Sequence, residues 1–265
     1  MSTSSSPWWP FHSARAASAS AIPSSIPLSV RITKRLIDLA FALFGLALFM
    51  LLLPALALAI RWDSPGPIFY RQRRACLLGG RGNGARSEFV PFSMLKLRSM
   101  RVDAEVRTGA VLAEENDPRV TRVGRFLRKT RLDEVPQLWN VLKGEMSLVG
   151  PRPERPELLQ NLTLAIPFFE ERMRDCKPGI TGLSQIALTY SGAAPDDSRV
   201  AQLAHVLTNP YGFEKARGAL ADDMRTKLLF DLAYVASLEH FSTFIVTELS
   251  IILRTPSVML RGLGR

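Results

Sequence analysis

Two adjacent carboxylates, Asp133 and Glu134, stand at the start of an apolar segment that ends before Gly144. Neighbouring side chains on a helix point about 100° apart, so these two would serve different tasks rather than share one proton. One carboxylate could attack or hold a metal ion, while the other moves a proton or completes the metal shell. A structural role stays open, in which Asp133 is a helix N-cap and Glu134 complements the helix dipole.

Four cations are predicted on or beside turns and strand ends, namely Lys96, Arg98, Arg128 and Arg152. Arg152 stands between Pro151 and Pro153, which restrict its backbone and would aim its guanidinium at phosphate oxygens. A solvated basic surface is the alternative interpretation. If Arg128 begins the turn that delivers Asp133, cations and carboxylates share a pocket suited to Mg²⁺-assisted phosphoryl transfer.

Other chemistries find little support in the residue pattern. No G-x-x-x-x-G-K-[ST] loop is present, so a nucleotide cradle of that type is excluded. The three histidines, His12, His205 and His240, are widely separated, and a histidine-based metal site or triad is improbable. Two cysteines, Cys76 and Cys176, exclude a disulfide framework and supply no zinc-like spacing.

The composition fits a folded chain with an anionic partner. The 265 residues include 34 Lys+Arg and 24 Asp+Glu, a formal net charge of +10, with 47% hydrophobic and 22% charged residues. This balance argues against bulk disorder and against a polytopic membrane protein, and the length suits one large or two small domains. Nucleic acid, acidic lipid head groups and phosphate-bearing substrates all match the basic excess.

The carboxylates are predicted to begin a helix that runs from near Asp133 to about Leu142. Pro136 fits only in the first turn of a helix, which places the N-cap near Asp133, and Gly144 follows its end.

Two further elements are predicted, a strand and a helix near the C-terminus. Residues 89–100 alternate loosely and could form a strand that carries Lys96 and Arg98. Near the C-terminus, residues 241–255 repeat apolar side chains at helical spacing, and Pro256 is predicted to stop this amphipathic helix.

Residues 39–60 form a 22-residue stretch without a charge. At about 1.5 Å per residue, a helix of this length could cross the core of a bilayer. Three interpretations compete: a cleaved signal peptide, a simple spanning helix and a re-entrant hairpin. The signal peptide is disfavoured because 38 residues would precede its apolar part.

Both flanks of the apolar stretch are cationic. The N-terminal flank contains Arg15, Arg31, Lys34 and Arg35, and the C-terminal flank contains Arg61, Arg71, Arg73, Arg74 and Arg81. Cationic flanks prefer the cytoplasmic side of a membrane. Pro54 removes a helical hydrogen bond and is a natural break point. A helix that enters, bends at Pro54 and returns satisfies both flanks, and this re-entrant form is favoured slightly over a spanning helix.

The order of motifs resembles the bacterial sugar transferase family, in the short form of the monotopic phosphoglycosyl transferases. The matching segments are Lys34-Arg35-Leu36-Ile37-Asp38, Ser64-Pro65-Gly66-Pro67-Ile68-Phe69, Lys96-Leu97-Arg98-Ser99-Met100, the continuous run 132–147, Val149-Gly150-Pro151-Arg152-Pro153 and Lys177-Pro178-Gly179-Ile180-Thr181-Gly182. The resemblance covers roughly residues 31–265, and the run from Asp133 to Pro153 is long enough to be highly specific.

The resemblance implies transfer of a sugar-1-phosphate from a UDP-sugar to undecaprenyl phosphate, with release of UMP and the start of glycan assembly. In this chain Asp133 would form a covalent phosphosugar-aspartate, with Glu134 as the second carboxylate of the pair. Arg128 and Arg152 match the phosphate-contacting arginines of the family, and Lys96 matches a motif lysine. Mg²⁺ would be held by Asp133 and Glu134, and the sugar is left open.

The resemblance also implies an organisation and a location. The expected fold is α+β and predominantly helical, with interfacial amphipathic helices and a few short strands. Residues 1–30 are expected to form a disordered tail, 31–62 a re-entrant helix-break-helix, and 63–265 a catalytic domain facing the cytoplasm at the inner membrane. The family breaks its helix at a Ser-Pro pair, whereas Leu53 precedes Pro54 here.

Besides the two substrates, membrane lipid is an expected partner, nucleic acid is not, and a homodimer is left open. The alternative from another class is a membrane-tethered nucleic-acid-binding protein that uses the basic segment 119–131. A scaffold that only anchors partners at the membrane is a third hypothesis.

Overall fold

The computed structural model describes five stretches of the chain, residues 26–78, 89–104, 117–173, 175–188 and 220–260. Most of the predicted N-terminal tail lies outside these residues. Within them the chain is predominantly helical, with four strands in two small sheets, and this part of the predicted α+β class is confirmed.

The first helix, α1, is a single element from Leu28 to Asp63 and contains 36 residues. It is about 54 Å long at the usual rise per residue, well beyond the hydrocarbon thickness of a bilayer. Among the described helices, α1 is long and apolar enough to cross a membrane. Pro54 lies inside the helix, which continues on both sides of it, so the structure does not divide this segment into two helices. The re-entrant path stays a prediction.

One side of α1 packs against the rest of the protein along nearly its whole length. Val30 belongs to a core cluster with the C-terminal helices, Ala42 to a cluster with the hairpin, and Phe49 and Ile60 to a third cluster. The other side exposes large apolar side chains, including Leu43, Phe44, Leu51, Leu58 and Trp62. The helix is therefore a layer of the core on one side and an apolar surface on the other.

A hairpin follows α1. Strand β1 (Phe69–Leu78) pairs antiparallel with β2 (Phe89–Leu97), and Tyr70 lies opposite Lys96. Lys96 is therefore on a strand, as predicted, but Arg98 comes just after the end of β2. A second sheet pairs the short strands β3 (Ser147–Val149) and β4 (Gly179–Thr181) in parallel.

The remaining helices surround these sheets. They are α2 (Arg122–Thr130), α3 (Gln137–Lys143), α4 (Pro156–Ala165), α5 (Leu183–Ala187), α6 (Leu220–Ser237) and α7 (Phe241–Leu260), with 3₁₀ turns at Leu132–Glu134 and Phe169–Met173.

Two predicted helix boundaries are wrong. Asp133 is not the N-cap of α3: it lies inside the preceding 3₁₀ turn, and Pro136 occupies the cap position. The helix ends at Gly144 as expected, with a positive φ of 81° that favours glycine. At the C-terminus, α7 continues through Pro256 to Leu260. Proline there forfeits one helical hydrogen bond, to the carbonyl of Ile252, and the helix continues for four more residues.

The N-terminal turns of α1 hold the other elements in place through polar contacts. Arg35 donates from both terminal nitrogens to the carbonyls of Val141 (2.7 Å) and Leu142 (2.8 Å), which satisfies the free end of α3. The carboxylate of Asp38 accepts from the Ser147 hydroxyl (2.9 Å) and the Leu148 N–H (2.8 Å) of β3. These contacts fix the helix that follows the carboxylate pair against the apolar helix.

Lys34 adds a third contact, to α7. Its ammonium lies 2.7 Å from the Glu248 carboxylate and 2.9 Å from the Val149 carbonyl. Tyr234 donates its hydroxyl to the same carboxylate at 2.9 Å, and Glu248 is fully buried. Burial raises the pKa of Glu248, and the Lys34 charge opposes that shift.

We expect Asp38→Ala to lower the free energy of unfolding by about 2 kcal/mol or more, because it leaves a buried hydroxyl and a backbone N–H without their acceptor. Chemical unfolding in detergent micelles measures the change. Asp103→Ala, which removes an exposed carboxylate, is the matched control and should have little effect. Equal stability of both variants would contradict the role given to Asp38.

Candidate active site

The carboxylate pair lies in a tight connection between α2 and α3. Helix α2 ends at Thr130, and Arg131 adopts a left-handed conformation with φ 57°. This conformation is unfavourable for a residue other than glycine and is typical of constrained turns. The Glu134 N–H donates to the Arg131 carbonyl at 3.1 Å, which closes the 3₁₀ turn. The turn carries Asp133 and Glu134 inward, and both side chains are buried.

Three cations from separate parts of the chain meet at Glu134. Lys96 Nζ lies 3.2 Å and Arg152 Nη2 3.5 Å from Glu134 Oε1. Arg131 Nη1 lies 3.6 Å from Oε2. Burial alone would raise the pKa of the Glu134 carboxyl, but the three cations together outweigh it and hold the pKa well below its ordinary value. Glu134 is therefore ionised at neutral pH.

Asp133 has a different environment. Its side chain is 6% exposed, and the buried Oδ1 atom has no hydrogen-bond partner among the residues that the structure describes. Burial and the neighbouring charge of Glu134 raise the pKa of the Asp133 carboxyl to about 6. At neutral pH the group is mostly ionised, yet it is more basic than an ordinary aspartate.

The charges of Lys96 and Arg128 also act on this carboxylate pair. Burial lowers the pKa of Lys96, and the Glu134 charge partly offsets that effect. The Arg128 guanidinium donates from Nε to the Ser99 hydroxyl at 3.0 Å, and its charge also acts on Asp133. The structure thus places Lys96 and Arg152 beside Glu134 and lets the charge of Arg128 act on Asp133, while the predicted roles of these residues stay predictions.

Arg98 is not brought to the pair. Its buried guanidinium donates to the Pro65 carbonyl at 2.6 Å and to the Ser64 carbonyl, both just after the end of α1. These bonds tie the end of β2 to the end of the apolar helix. A carbonyl-bound guanidinium at this place does not face the carboxylates, so the predicted phosphate contact of Arg98 finds no support in the geometry.

A buried network of charges lies behind Arg152. Arg172, only 1% exposed, donates to the Arg152 carbonyl at 2.8 Å and pairs with Asp231 at 2.8 Å. Lys227 pairs with Glu154 at 2.6 Å, and Glu154 lies 3.8 Å from Arg172. Buried ion pairs of this kind fix geometry more surely than they add stability. Here they fix the backbone of the residue whose guanidinium reaches Glu134.

Sequence reasoning did not single out Arg131, Arg172 or Asp231. Arg131 belongs to the basic segment 119–131, but only the left-handed turn directs its side chain back to Glu134. Arg172 and Asp231 belong to no motif and are 59 positions apart, so nothing in the sequence pattern links them to Arg152.

A pocket of about 200 Å³ opens beside the carboxylate pair. Arg131, Glu134 and Arg152 line one end of it, and α3, β4, α5 and the last turns of α7 supply the other walls. Cations in the lining of such a pocket can bind phosphate oxygens.

The residues offer a partial fit to Mg²⁺. In the described part of the chain, no cluster of three or more His, Cys, Asp or Glu side chains could hold a metal ion. Mg²⁺ is often bound by one or two carboxylates together with substrate phosphates, so a full protein cage is not required. The unpartnered Oδ1 of Asp133 fits such a ligand. The Glu134 oxygens are less available, since three cations already surround them.

Comparison with known proteins gives one family. The sequence model of the family described as bacterial sugar transferase matches residues 29–262. A Bacillus subtilis protein with the provisional name undecaprenyl-phosphate N-acetylgalactosaminyl 1-phosphate transferase is 47% identical over 140 residues, which are 53% of this chain and 72% of the relative.

Two other relatives carry related names. UDP-N-acetylgalactosamine-undecaprenyl-phosphate N-acetylgalactosaminephosphotransferase of Aeromonas hydrophila is 41% identical over 63% of this chain and 36% of the relative. UDP-glucose:undecaprenyl-phosphate glucose-1-phosphate transferase of Caulobacter vibrioides is 43% identical over 60% of this chain and 55% of the relative. The matches with these two span little more than half of the relatives' own lengths or less.

We expect Glu134→Gln to lower the pKa of Asp133. The substitution removes a neighbouring negative charge and leaves three cations free to act on the remaining carboxylate. The pH titration of the ¹³C-labelled aspartate carboxyl measures the pKa by NMR in detergent micelles. Glu239→Gln, which neutralises an exposed carboxylate at the end of α6, should leave the titration unchanged. An unchanged or higher pKa in the Glu134 variant would contradict the electrostatic description of the pair.

Proposed function

The chain belongs to the bacterial sugar transferase family, and we propose that it transfers a sugar-1-phosphate from a UDP-sugar to undecaprenyl phosphate. This reaction would begin the assembly of a cell-surface glycan. The names of the relatives support the reaction class. The observation that carries the proposal for this chain is the buried Oδ1 of Asp133, which has no hydrogen-bond partner in the described part of the chain and lies beside a carboxylate held by three cations.

In the first step, an oxygen of Asp133 attacks the phosphorus that bears the sugar. The bond from that phosphorus to the bridging oxygen breaks, the oxygen leaves with UMP, and a phosphosugar-aspartate remains. The raised pKa of Asp133 supports this role, because a more basic carboxylate is a stronger nucleophile while it is still ionised at neutral pH.

In the second step, a phosphate oxygen of undecaprenyl phosphate attacks the same phosphorus. The bond between phosphorus and Asp133 breaks, which frees the carboxylate and releases the sugar linked through a diphosphate to the lipid. Neither step requires a net proton transfer when the acceptor phosphate enters as the dianion. A proton acceptor is therefore not needed at Glu134.

Glu134 is better suited to an electrostatic role. Its lowered pKa makes it a weak base, and its charge keeps Lys96, Arg131 and Arg152 gathered beside Asp133. These cations, with Arg128, would neutralise the diphosphate as charge develops on the departing UMP.

We also propose Mg²⁺ as the cofactor, with one oxygen of Asp133 as the protein ligand and the other free to attack. When bound, the ion would neutralise charge on the donor diphosphate and favour departure of UMP. Glu134 as a second ligand stays a prediction.

Membrane attachment through α1 fits the same proposal. Only 11% of the residues in its most apolar window are buried inside the protein, and the exposed apolar side chains of the helix are available to lipid. Val30 and Ile60, near its two ends, both pack into the same domain. A helix attached at both ends to one domain cannot have those ends on opposite sides of a bilayer. We propose that both ends lie on the cytoplasmic side, as the cationic flanks favour.

The covalent step gives a direct prediction. Incubation with UDP-sugar alone should release one UMP per enzyme and leave a phosphosugar adduct on Asp133, located by mass spectrometry. Asp133→Asn should form no adduct and lose roughly 10³-fold or more of turnover, since the nucleophile is gone. Asp103→Asn, on an exposed carboxylate, is the control and should behave as wild type.

Chelation of Mg²⁺ before the donor is added should prevent the adduct. Turnover retained in the Asp133 variant, or product formed in the wild type without any adduct, would overturn the covalent mechanism.

The topology of α1 gives a separate prediction. Single cysteines at the exposed positions Arg31 and Arg71, in a background without Cys76 and Cys176, should both resist a membrane-impermeant maleimide in intact cells and both react after lysis. Labelling of one position and not the other in intact cells would mean that α1 spans the membrane.

A further inference from the structure

The pocket beside the carboxylate pair has two chemically distinct parts. Arg131 and Arg152 both lie within 3.6 Å of Glu134 and form a cationic part with it, and a third cation in the lining, Lys227, is paired with Glu154. The other part is lined by aliphatic side chains from four elements, among them Leu138, Ile180, Ile186, Val258 and Met259. A ligand that fits both parts carries an anionic group joined directly to hydrocarbon.

Most polar side chains in the aliphatic part are already paired within the protein. Thr181 and Thr255 bond to each other at 2.9 Å, and Thr255 also donates to the Ile251 carbonyl at 2.7 Å. The Ser184 hydroxyl donates to Asp231 at 2.7 Å. Hydroxyl groups held in this way offer little to the several hydroxyls of a sugar, each of which loses water on burial.

Gln185 is the exception, and it lies at the cationic end. Its Oε1 atom accepts from Arg152 Nη1 at 3.4 Å, while its Nε2 atom is buried and has no hydrogen-bond partner within the described residues. A buried amide donor without a partner is costly and calls for an acceptor from outside the protein. Beside Arg152, the acceptor that fits is a phosphate oxygen.

The aliphatic wall also touches the apolar helix. A Cβ atom on Gly45 of α1 would lie only 2.6 Å from Leu138 Cδ1, so Leu138 packs directly on the α1 backbone. Leu138 thus contacts α1 and lines the pocket at the same time. A hydrocarbon chain that lies along α1 would therefore reach the pocket wall at Leu138.

We propose that this pocket binds the lipid acceptor of the reaction, its phosphate at Arg131, Arg152 and Gln185 and its first isoprene units against the aliphatic wall. The inference rests on the proposed function and assigns the aliphatic part of the pocket to the acceptor. Arg131 and Arg152 would serve both substrates in turn, the donor diphosphate first and the acceptor phosphate after UMP has left. The UDP-sugar is polar throughout, whereas the polyprenyl phosphate joins branched hydrocarbon directly to a phosphate. Only the second matches a lining that combines cations with aliphatic side chains from four elements.

The test separates the two half-reactions. Val258→Asn places an amide on the aliphatic wall and should raise the KM for undecaprenyl phosphate in micelles about tenfold or more, because one buried aliphatic contact is lost and a polar group must be desolvated. Formation of the adduct from UDP-sugar alone should keep its wild-type rate and donor dependence. Val258→Thr, which preserves shape, should give a smaller rise in the same KM.

Gln185→Leu tests the polar end. It should raise the KM for the acceptor several-fold and have a smaller effect on the donor-only step, where Arg152 acts without the Gln185 amide as a ligand. Leu164→Asn is the matched control for Val258→Asn, since it makes a similar aliphatic-to-amide change at a side chain that is 74% exposed on α4. It should alter neither half-reaction.

The inference is overturned if the acceptor KM of the Val258 variants stays constant while adduct formation slows or the KM for the UDP-sugar rises. The aliphatic part of the pocket would then hold the donor. It is also overturned if neither KM changes. Absence of any adduct in the wild-type enzyme would instead refute the proposed mechanism, and the two failures are thereby distinguishable.

Discussion

Three cations surround the carboxylate of Glu134, whereas Oδ1 of the adjacent Asp133 has no hydrogen-bond partner among the residues that the structure describes. Two buried carboxylates side by side would not both ionise without such compensation. The cations permit the charge on Glu134, and that charge in turn makes Asp133 more basic. Because the cations come from β2, from the turn itself and from the segment after β3, the hairpin, the tight connection and the parallel sheet all have to be in place before the pair acquires its properties.

The chemistry-bearing residues could be predicted wherever a short motif places them. The carboxylate pair, Lys96 and Arg152 were predicted from local patterns and do meet in space. Arg98 could not be assigned in the same way. Its guanidinium binds the carbonyls that follow α1, and whether a cation faces a site or a neighbouring loop depends on contacts between segments that the sequence does not reveal.

The elements of the fold that local sequence determines could also be predicted, whereas those that depend on contacts between distant segments could not. The helical class, the apolar helix and the glycine that ends α3 follow from composition and spacing. The start of α3 was predicted too early, because the sequence pattern does not show that Arg131 adopts a left-handed conformation and that a 3₁₀ turn comes first. The pairing of β3 with β4 and the charge network around Arg172 join residues tens of positions apart, and only the folded chain brings them together.

The way α1 packs has a consequence for how the enzyme matures. Its buried side contributes Val30, Ala42, Phe49 and Ile60 to three separate clusters of the hydrophobic core, and Arg35 satisfies the end of α3. A version that begins after Asp63 would lack one layer of that core, and the carbonyls at the end of α3 would lose the Arg35 guanidinium. Anchor and catalyst are therefore not separable modules. The catalytic centre would therefore be completed only when α1 has packed against the rest of the domain, so membrane insertion of α1 and folding of the site would be coupled.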